Sequence, residues 1–416
     1  MKALVRAAFV LPWILFADSA AAGVTAIKAG HLIDPETGIV TTNKIILIDG
    51  KKIVDVVDAL PSTPPETVID LSDQWVLPGL MDLHTHLTFD YEVGLAEAYA
   101  KDGTGYRALV GVHNGEDMLQ AGFTLVRDVG NAGNYADTDM RRAFEAGLFN
   151  GPTVYNSGKI IAAFGGQADQ VTPEAGEIWH FEYIDADGPE EMRKAVRENL
   201  FYGAKLIKIV NDVRFGNHAI YTQEEIQVAA DEAHRAGVTL AVHAKDDATA
   251  IPAILAGADS IEHGYELSDT ALKLMKQKGT YLVGTDMPLL GAGPFSDKQK
   301  KRVDMKLDRL KRAWKIGVPM AFGTDTTANL PGETRGQSEF DYLEMWTRAG
   351  IPNAYIIKAM TFNGAKLLHI ADQRGLIAKD HFADIVAVPA DPLADIQALR
   401  KIDFVMKEGK VIPLKP

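Results

Sequence analysis

Cysteine is absent from this 416-residue chain. Disulfides are therefore excluded, and so are thiolate ligands, so a transition metal held here needs imidazole, carboxylate or a modified amine. Positive charge is also scarce: 43 Lys and Arg stand against 56 Asp and Glu, a formal net charge of -13. The basic residues are scattered among carboxylates, which leaves no stripe for a phosphate backbone and argues against nucleic acid as a partner. No glycine-rich dinucleotide fingerprint follows any strand-like run, which argues against nicotinamide or flavin, and no Walker-type loop occurs either. The apolar run at residues 7–16, behind Lys2 and Arg6 and ahead of Ala20-Ala21-Ala22, is much shorter than the roughly 20 residues a spanning helix requires. Residues 1–22 accordingly read as a cleaved signal peptide, and the mature protein is expected to be periplasmic or secreted, with no membrane attachment after cleavage.

What remains is ordinary for a soluble protein with a sizeable core, 47% hydrophobic and 24% charged. β-type runs at 24–33, 43–58 and 66–77 are broken by turn signals such as Asp49-Gly50, and similar runs return at 383–388 and 404–412. Two β-rich ends around a different middle suggest a small composite β-sandwich domain made of residues 23–78 and 379–416. The middle, residues 79–378, alternates short apolar strands with helical spacing, the pattern of successive βα units. Eight strand candidates fall at 80–86, 124–130, 153–158, 205–210, 239–244, 260–264, 281–286 and 319–325, with helices expected at 190–202, 223–236 and 298–314. Eight such units favour an α/β protein of the (β/α)8 barrel type over an open doubly wound sheet.

The chemistry-bearing residues collect at the C-terminal ends of those strands, the face on which barrel enzymes build their sites. His84 and His86 stand two apart, and a strand's period of two turns both to one side, where they can chelate one ion. His243 and His263 each close a largely apolar lead-in. One such histidine is ordinarily a hydrogen-bonded core residue; four converging on one mouth each need a buried partner, and a metal supplies it. Lys208 is a charged side chain inside Leu206-Ile207-Lys208-Ile209-Val210, where an unpaired ammonium is costly. A salt bridge would compensate it, and so would a depressed pKa that lets the neutral amine take up carbon dioxide and become an anionic carbamate able to bridge two cations. Asp325 closes Gly323-Thr324-Asp325 and reads either as a helix N-cap or as a carboxylate that ligates a metal and accepts a proton.

Taken together, Leu80-Met81-Asp82-Leu83-His84-Thr85-His86, Gly203-Ala204-Lys205-Leu206-Ile207-Lys208-Ile209, Val242-His243-Ala244, Ile261-Glu262-His263-Gly264 and Gly323-Thr324-Asp325 resemble the motifs of the amidohydrolase superfamily over nearly the whole mature chain. Their order is similar to that of the imidazolonepropionase-related branch, with its prolidase-like dipeptidases, arginine carboxypeptidase-like (Xaa-Arg dipeptidase) enzymes and ochratoxin hydrolases. The resemblance implies two zinc ions bridged by a carbamylated Lys208, with His84 and His86 on one ion, His243 and His263 on the other, and Asp325 beside the first. Two loops depart from that pattern: Phe164-Gly165-Gly166-Gln167-Ala168-Asp169, where those peptidases tend to carry a histidine, and Asn211-Asp212-Val213-Arg214-Phe215-Gly216-Asn217-His218, in place of a small glycine-rich segment. They leave open whether one or two metals bind.

The activity implied is hydrolysis of an amide bond, in a dipeptide or an N-acyl amino acid with a free carboxylate, with Asp325 taking a proton from water and passing it to the leaving amine. The substrate carboxylate needs a partner, and Arg214, His218 and Tyr265 are candidates, Arg214 first because guanidinium suits bidentate carboxylate recognition. A lactonase, a cyclic amide or amidine hydrolase or a deaminase would use the same site on another bond, and a non-catalytic binding protein is the reading from a different class. Partners are then a small-molecule or dipeptide substrate, with homo-oligomerisation left open.

Overall fold

The computed structural model describes residues 23–90, 101–167, 172–212, 221–290, 294–329 and 332–415. The expected signal peptide lies outside the described residues, as do Arg214 and His218. Among the described residues no helix is long and apolar enough to cross a membrane.

The strands, in chain order, are β1 (Thr25–Ile33), β2 (Val40–Asp49), β3 (Lys52–Val57), β4 (Thr67–Pro78), β5 (Leu80–Thr85), β6 (Phe123–Asp128), β7 (Thr153–Asn156), β8 (Ile160–Ala162), β9 (Tyr183–Asp185), β10 (Leu206–Val210), β11 (Thr239–Asp246), β12 (Ser260–Glu266), β13 (Tyr281–Val283), β14 (Ile385–Val388), β15 (Phe404–Lys407) and β16 (Lys410–Val411). The longer helices between them are α1 (Thr104–Gln120), α2 (Ala136–Glu145), α3 (Pro189–Phe201), α4 (Gln223–Arg235), α5 (Asp247–Leu255), α6 (Asp269–Lys278) and α7 (Asp297–Ile316). Helix starts follow local chemistry. Thr222 with Glu225 and Ser296 with Gln299 form capping boxes ahead of α4 and α7, satisfying backbone N–H groups that the first turn leaves without partners.

Both chain ends join one sheet, in the order β16-β15-β14-β4-β1-β2-β3. A two-layer sandwich was the expectation; the ladders run as a single seven-stranded sheet that curls so that its edge strand β3 bonds to the segment leading into β14. Ile53 N–H donates to His381 O at 2.9 Å, Ala383 N–H to Lys51 O at 2.9 Å, and Lys51 pairs with Glu408 at 2.8 Å. The curl encloses its own core, in which Ile27, Ile46, Ile53, Ile385 and Met406 are buried.

The middle of the chain forms two all-parallel sheets, β5-β6-β7 and β13-β12-β11-β10-β8-β9. Strands of this kind are covered on both faces, which is why β10 reads as an unbroken buried run from Leu206 to Val210. The third expected strand is split: after β7 the chain turns at Gly158, φ +69°, and resumes as β8 beside β10. The eighth, 319–325, is not a regular strand. It meets β13 through one bridge, Leu282 with Met320, and meets β5 through Leu83 N–H to Phe322 O at 2.8 Å and Asp325 N–H to His84 O at 2.8 Å. Phe322 directs its own N–H to Ala359 O instead of to a neighbouring strand, and Asp325 sits at φ +66°, so no continuous ladder closes there. Lys205 N–H to Asn156 O at 2.7 Å ties the end of β7, an edge of the first sheet, to the residue that leads into β10, an interior strand of the second.

Candidate metal centre and active site

Register decides which side chains share a face. Val210 pairs with His243, and His243 pairs with Glu262, while Lys208 pairs with Ala241. Neighbours across a parallel ladder point the same way, and residues two apart do too. Lys208, His243 and Glu262 therefore project to one side, and His84 reaches the same space, its Nδ1–H donating to Glu262 Oε2 at 2.6 Å.

Alternation would turn His263 away from that side, since Glu262 already occupies it. The backbone corrects this: His263 lies at φ +70° and Gly264 at φ +56°, and the His263 ring returns to within 5.0 Å of His84 and 4.3 Å of His243, centroid to centroid. Thr285 at φ +46° and Asp325 at φ +66° are also left-handed. For non-glycine residues such conformations are uncommon and cost about 1–3 kcal/mol each, and they persist where surrounding structure imposes them. Here Arg309, itself fully buried, donates to His263 O at 3.0 Å and Gly284 O at 3.2 Å while paired with Asp286 at 2.7 Å. Gly323 lets segment 319–325 lie against β5, because a Cβ there would come within 2.9 Å of His84 Cβ and 2.4 Å of Val283.

His84, His86 and Asp325 offer three donor atoms within 4.8 Å of one another. Asp325 Oδ1 is 3.2 Å from His86 Nε2 and 3.5 Å from His84 Nε2, and Asp325 Oδ2 is 3.9 Å from His263 Nδ1. The tautomers follow from the opposite ring nitrogens: His84 Nδ1 faces a carboxylate and His86 Nδ1 faces the Gly130 carbonyl at 3.0 Å, so each Nδ1 carries the hydrogen and each Nε2 lone pair is directed at Asp325. Two imidazoles oriented by outer hydrogen bonds and one carboxylate are a donor set that suits a divalent metal such as zinc.

Burial and mutual charge set the protonation states. Burial, seconded by Lys208, brings His84 down to about 4, against the pull of Asp325 and Glu262. Burial alone would raise Asp325, but His84, His86 and Lys208 outweigh it and hold the carboxyl at about 2. His243 and His263 are both lowered by burial, His263 further by the neighbouring imidazoles. Lys208 is brought down by burial to about 8, with Glu262 and Asp325 opposing. At neutral pH His84, His243 and His263 are thus neutral, Asp325 is anionic and the Lys208 amine has an accessible neutral fraction.

The fold brings His84, His86, Lys208, His243, His263 and Asp325, all expected from the sequence, to one place. Tyr265 is there too, its hydroxyl 3.2 Å from His263 Nδ1 and 2.8 Å from Thr285 Oγ1, which ties it to the histidine. Glu262 and Arg127 were not singled out. Arg127 is fully buried and donates to Glu262 Oε1 at 2.7 Å, to Ser260 Oγ at 2.9 Å and to Leu83 O. Burial works to raise the Glu262 carboxyl, but Arg127 and His84 hold it well below the usual range. The signal was a carboxylate inside a strand, two residues from Ser260 and on the same face, in a stretch that is buried throughout, Ser260-Ile261-Glu262-His263. Asp212 was also missed as an individual residue: fully buried, it lies 3.0 Å from His243 Nε2.

Residues 75–412 match the model of the amidohydrolase family. The chain belongs to that family. It is similar to ochratoxinase from Aspergillus niger, 29% identical over 445 residues that cover 96% of this chain and 88% of that protein; the crystal structure of that enzyme superposes with a TM-score of 0.82, at 26% identity, over 93% of this chain and 95% of the other. A crystal structure of a Xaa-Pro dipeptidase with bound methionine in the active site is 32% identical, with a TM-score of 0.80, covering 94% of this chain and 99% of that one. A prolidase complexed with N-methylphosphonate-L-proline is 26% identical, with a TM-score of 0.81, covering 94% and 100%. The protein is an enzyme that hydrolyses amide bonds, and the family to which it belongs generally binds metal.

Proposed function

We propose that this amidohydrolase is a zinc-dependent hydrolase of dipeptides or N-acyl amino acids with a free carboxylate, working at the mouth of a (β/α)8 barrel spanning residues 79–378. The observation that carries the reading is the placement of the Asp325 carboxylate against His84 Nε2 and His86 Nε2, with both Nδ1 atoms already engaged.

His84, His86 and Asp325 would hold one ion; His243, His263 and a carbamylated Lys208 would serve a second. When bound, such an ion supplies Lewis acidity, polarising the scissile carbonyl and making a water acidic enough to ionise near neutral pH. Glu262 fixes the His84 ring, and Gly130 O fixes His86, so neither imidazole has to reorganise as substrate arrives. Asp325, anionic at neutral pH, takes the proton from the attacking water and returns it to the departing amine nitrogen. Lys208, its neutral form stabilised by burial, is the amine suited to carbamylation. Arg214 receives the substrate carboxylate, and Tyr265 positions His263.

The relatives suggest which bonds to try first: Xaa-Pro dipeptides and ochratoxin, beside a wider panel of dipeptides and N-acyl amino acids. Mass spectrometry of zinc-loaded protein with and without chelator is the test. Chelator-sensitive release of an amino acid is expected. Turnover that is indifferent to chelation overturns the metal dependence, and cleavage confined to lactones or ring substrates overturns the peptidase-like reading.

A further inference from the structure

Both loops in which this chain departs from its relatives' pattern end on the same atom. Gln167 Nε2 is 3.1 Å from His243 Nε2 and 2.9 Å from Asp212 Oδ1, and Asp212 Oδ1 is 3.0 Å from His243 Nε2. Three polar atoms thus form a nearly equilateral triangle. No placement of hydrogens satisfies all three sides. If the Gln167 amide donates to both partners, the His243 Nε2 lone pair faces the Asp212 carboxylate; if His243 Nε2–H donates to Asp212, it opposes the Gln167 NH2. Turning the amide over puts Oε1 where Nε2 stands and sets oxygen against oxygen. A cation satisfies the turned arrangement, because every corner then offers a lone pair. Ligands around tetrahedral zinc at about 2.0–2.1 Å stand roughly 3.3 Å apart, close to the sides found here.

We propose that the ion on the His243 side is bound by Asp212, with Gln167 as an auxiliary oxygen ligand. Asp212 is fully buried, so its carboxylate is held toward His243 and does not wander to solvent. Lys245 currently neutralises it, Nζ to Oδ1 at 3.2 Å. That side chain is partly exposed and flexible, and it is the group displaced when the ion enters. Asp212 and Gln167 thereby take the place of the loop histidine and glycine-rich segment that the family pattern led us to expect. The inference rests on the proposed function only in treating the histidine cluster as a two-ion site.

The test reads ions and not turnover. Metal-free full-length protein is titrated with Zn2+ and with Co2+, following heat, elemental content and the cobalt absorption bands. Wild type is expected to take two equivalents. Asp212→Asn should keep the tight first equivalent and lose at least tenfold in affinity for the second, the scale on which metal affinity answers to loss of a group in or around the coordination shell. Gln167→Ala, in a half-exposed loop, should weaken the second ion less, and Lys245→Met should tighten it by removing the competing cation. A role for Asp212 that is only structural would not give opposite signs for Asp212→Asn and Lys245→Met. Unchanged two-ion binding in Asp212→Asn overturns the proposal, as does a single equivalent in wild type. Should Asp212→Asn fail to fold, Gln167→Ala and Lys245→Met decide: unchanged affinity in both overturns it. A protein that binds two ions in this manner yet cleaves no dipeptide or N-acyl amino acid would uphold the inference and sink the proposed substrate class.

Discussion

The two sides of the histidine cluster use the same residue type prepared in opposite ways. Around His84 and His86, a carboxylate and a backbone carbonyl occupy Nδ1, so the Nε2 lone pairs converge on Asp325. Around His243, Nε2 itself is met by Asp212 and Gln167, and Lys245 lies behind. A buried imidazole needs partners for both nitrogens: on the first side the protein satisfies Nδ1 and leaves Nε2 facing the centre, and on the second it gathers further polar groups around Nε2, which an ion there would share.

The sharpest break in that comparison comes from removing the acceptor that both His84 and His86 face. Asp325→Asn is expected to retain the fold by circular dichroism and to lower kcat by about 10²–10⁴, the usual worth of a positioned proton acceptor; a variant with near-normal kcat would strip Asp325 of its role. Next in size is the orientation of His84. Glu262→Gln leaves the buried Arg127 without its charge partner, and breaking such a pair costs about 3–5 kcal/mol, read by denaturant unfolding. A loss below about 1 kcal/mol, the scale of an exposed pair, would mean that Arg127 finds other compensation.

Proton linkage gives a third handle. The folded pKa of His84 is depressed from 6.5 to about 4, so the unfolded chain binds the proton first as pH falls. Stability from this group is fully present above pH 6.5 and is lost between there and about pH 4, amounting to about 3 kcal/mol for the metal-free protein at 1.36 kcal/mol per unit. His84→Asn should flatten that part of the stability–pH curve; an unchanged slope would assign the loss to other groups. The smallest effect is expected at Tyr265→Phe. It removes a hydroxyl shared between His263 and Thr285, worth about 1 kcal/mol, and should change kcat several-fold with little change in KM. A large rise in KM instead would return Tyr265 to direct substrate contact.

Much of this arrangement was legible before any coordinates. His84 and His86 at a spacing of two, Lys208 inside an apolar strand, and His243 after one are patterns that a period-two strand converts into a shared face. The helices at 189–201, 223–235 and 297–316 follow the expected spans within two residues, because their caps are local: Thr222 with Glu225, and Ser296 with Gln299. Where strand logic is extended past its domain, it fails. Residues 319–325 read as an eighth strand, yet the segment pairs through isolated bonds, because Phe322 N–H goes to Ala359 O and Asp325 takes a left-handed φ.

His263 shows the same limit from the other side. Period two assigns the inward face of β12 to Glu262, and only the left-handed turn at His263 and Gly264, held from behind by Arg309, brings the imidazole back to the cluster. Local spacing and composition are encoded in neighbouring residues, so the sequence by itself determined the βα succession, the composite terminal sheet, and the histidines, lysine and aspartate that meet. Partnerships such as Arg127 with Glu262, or Gln167 with Asp212 and His243, join residues 45 to 135 positions apart. Register and backbone strain imposed by distant packing decide them, and only the tertiary structure contains that information.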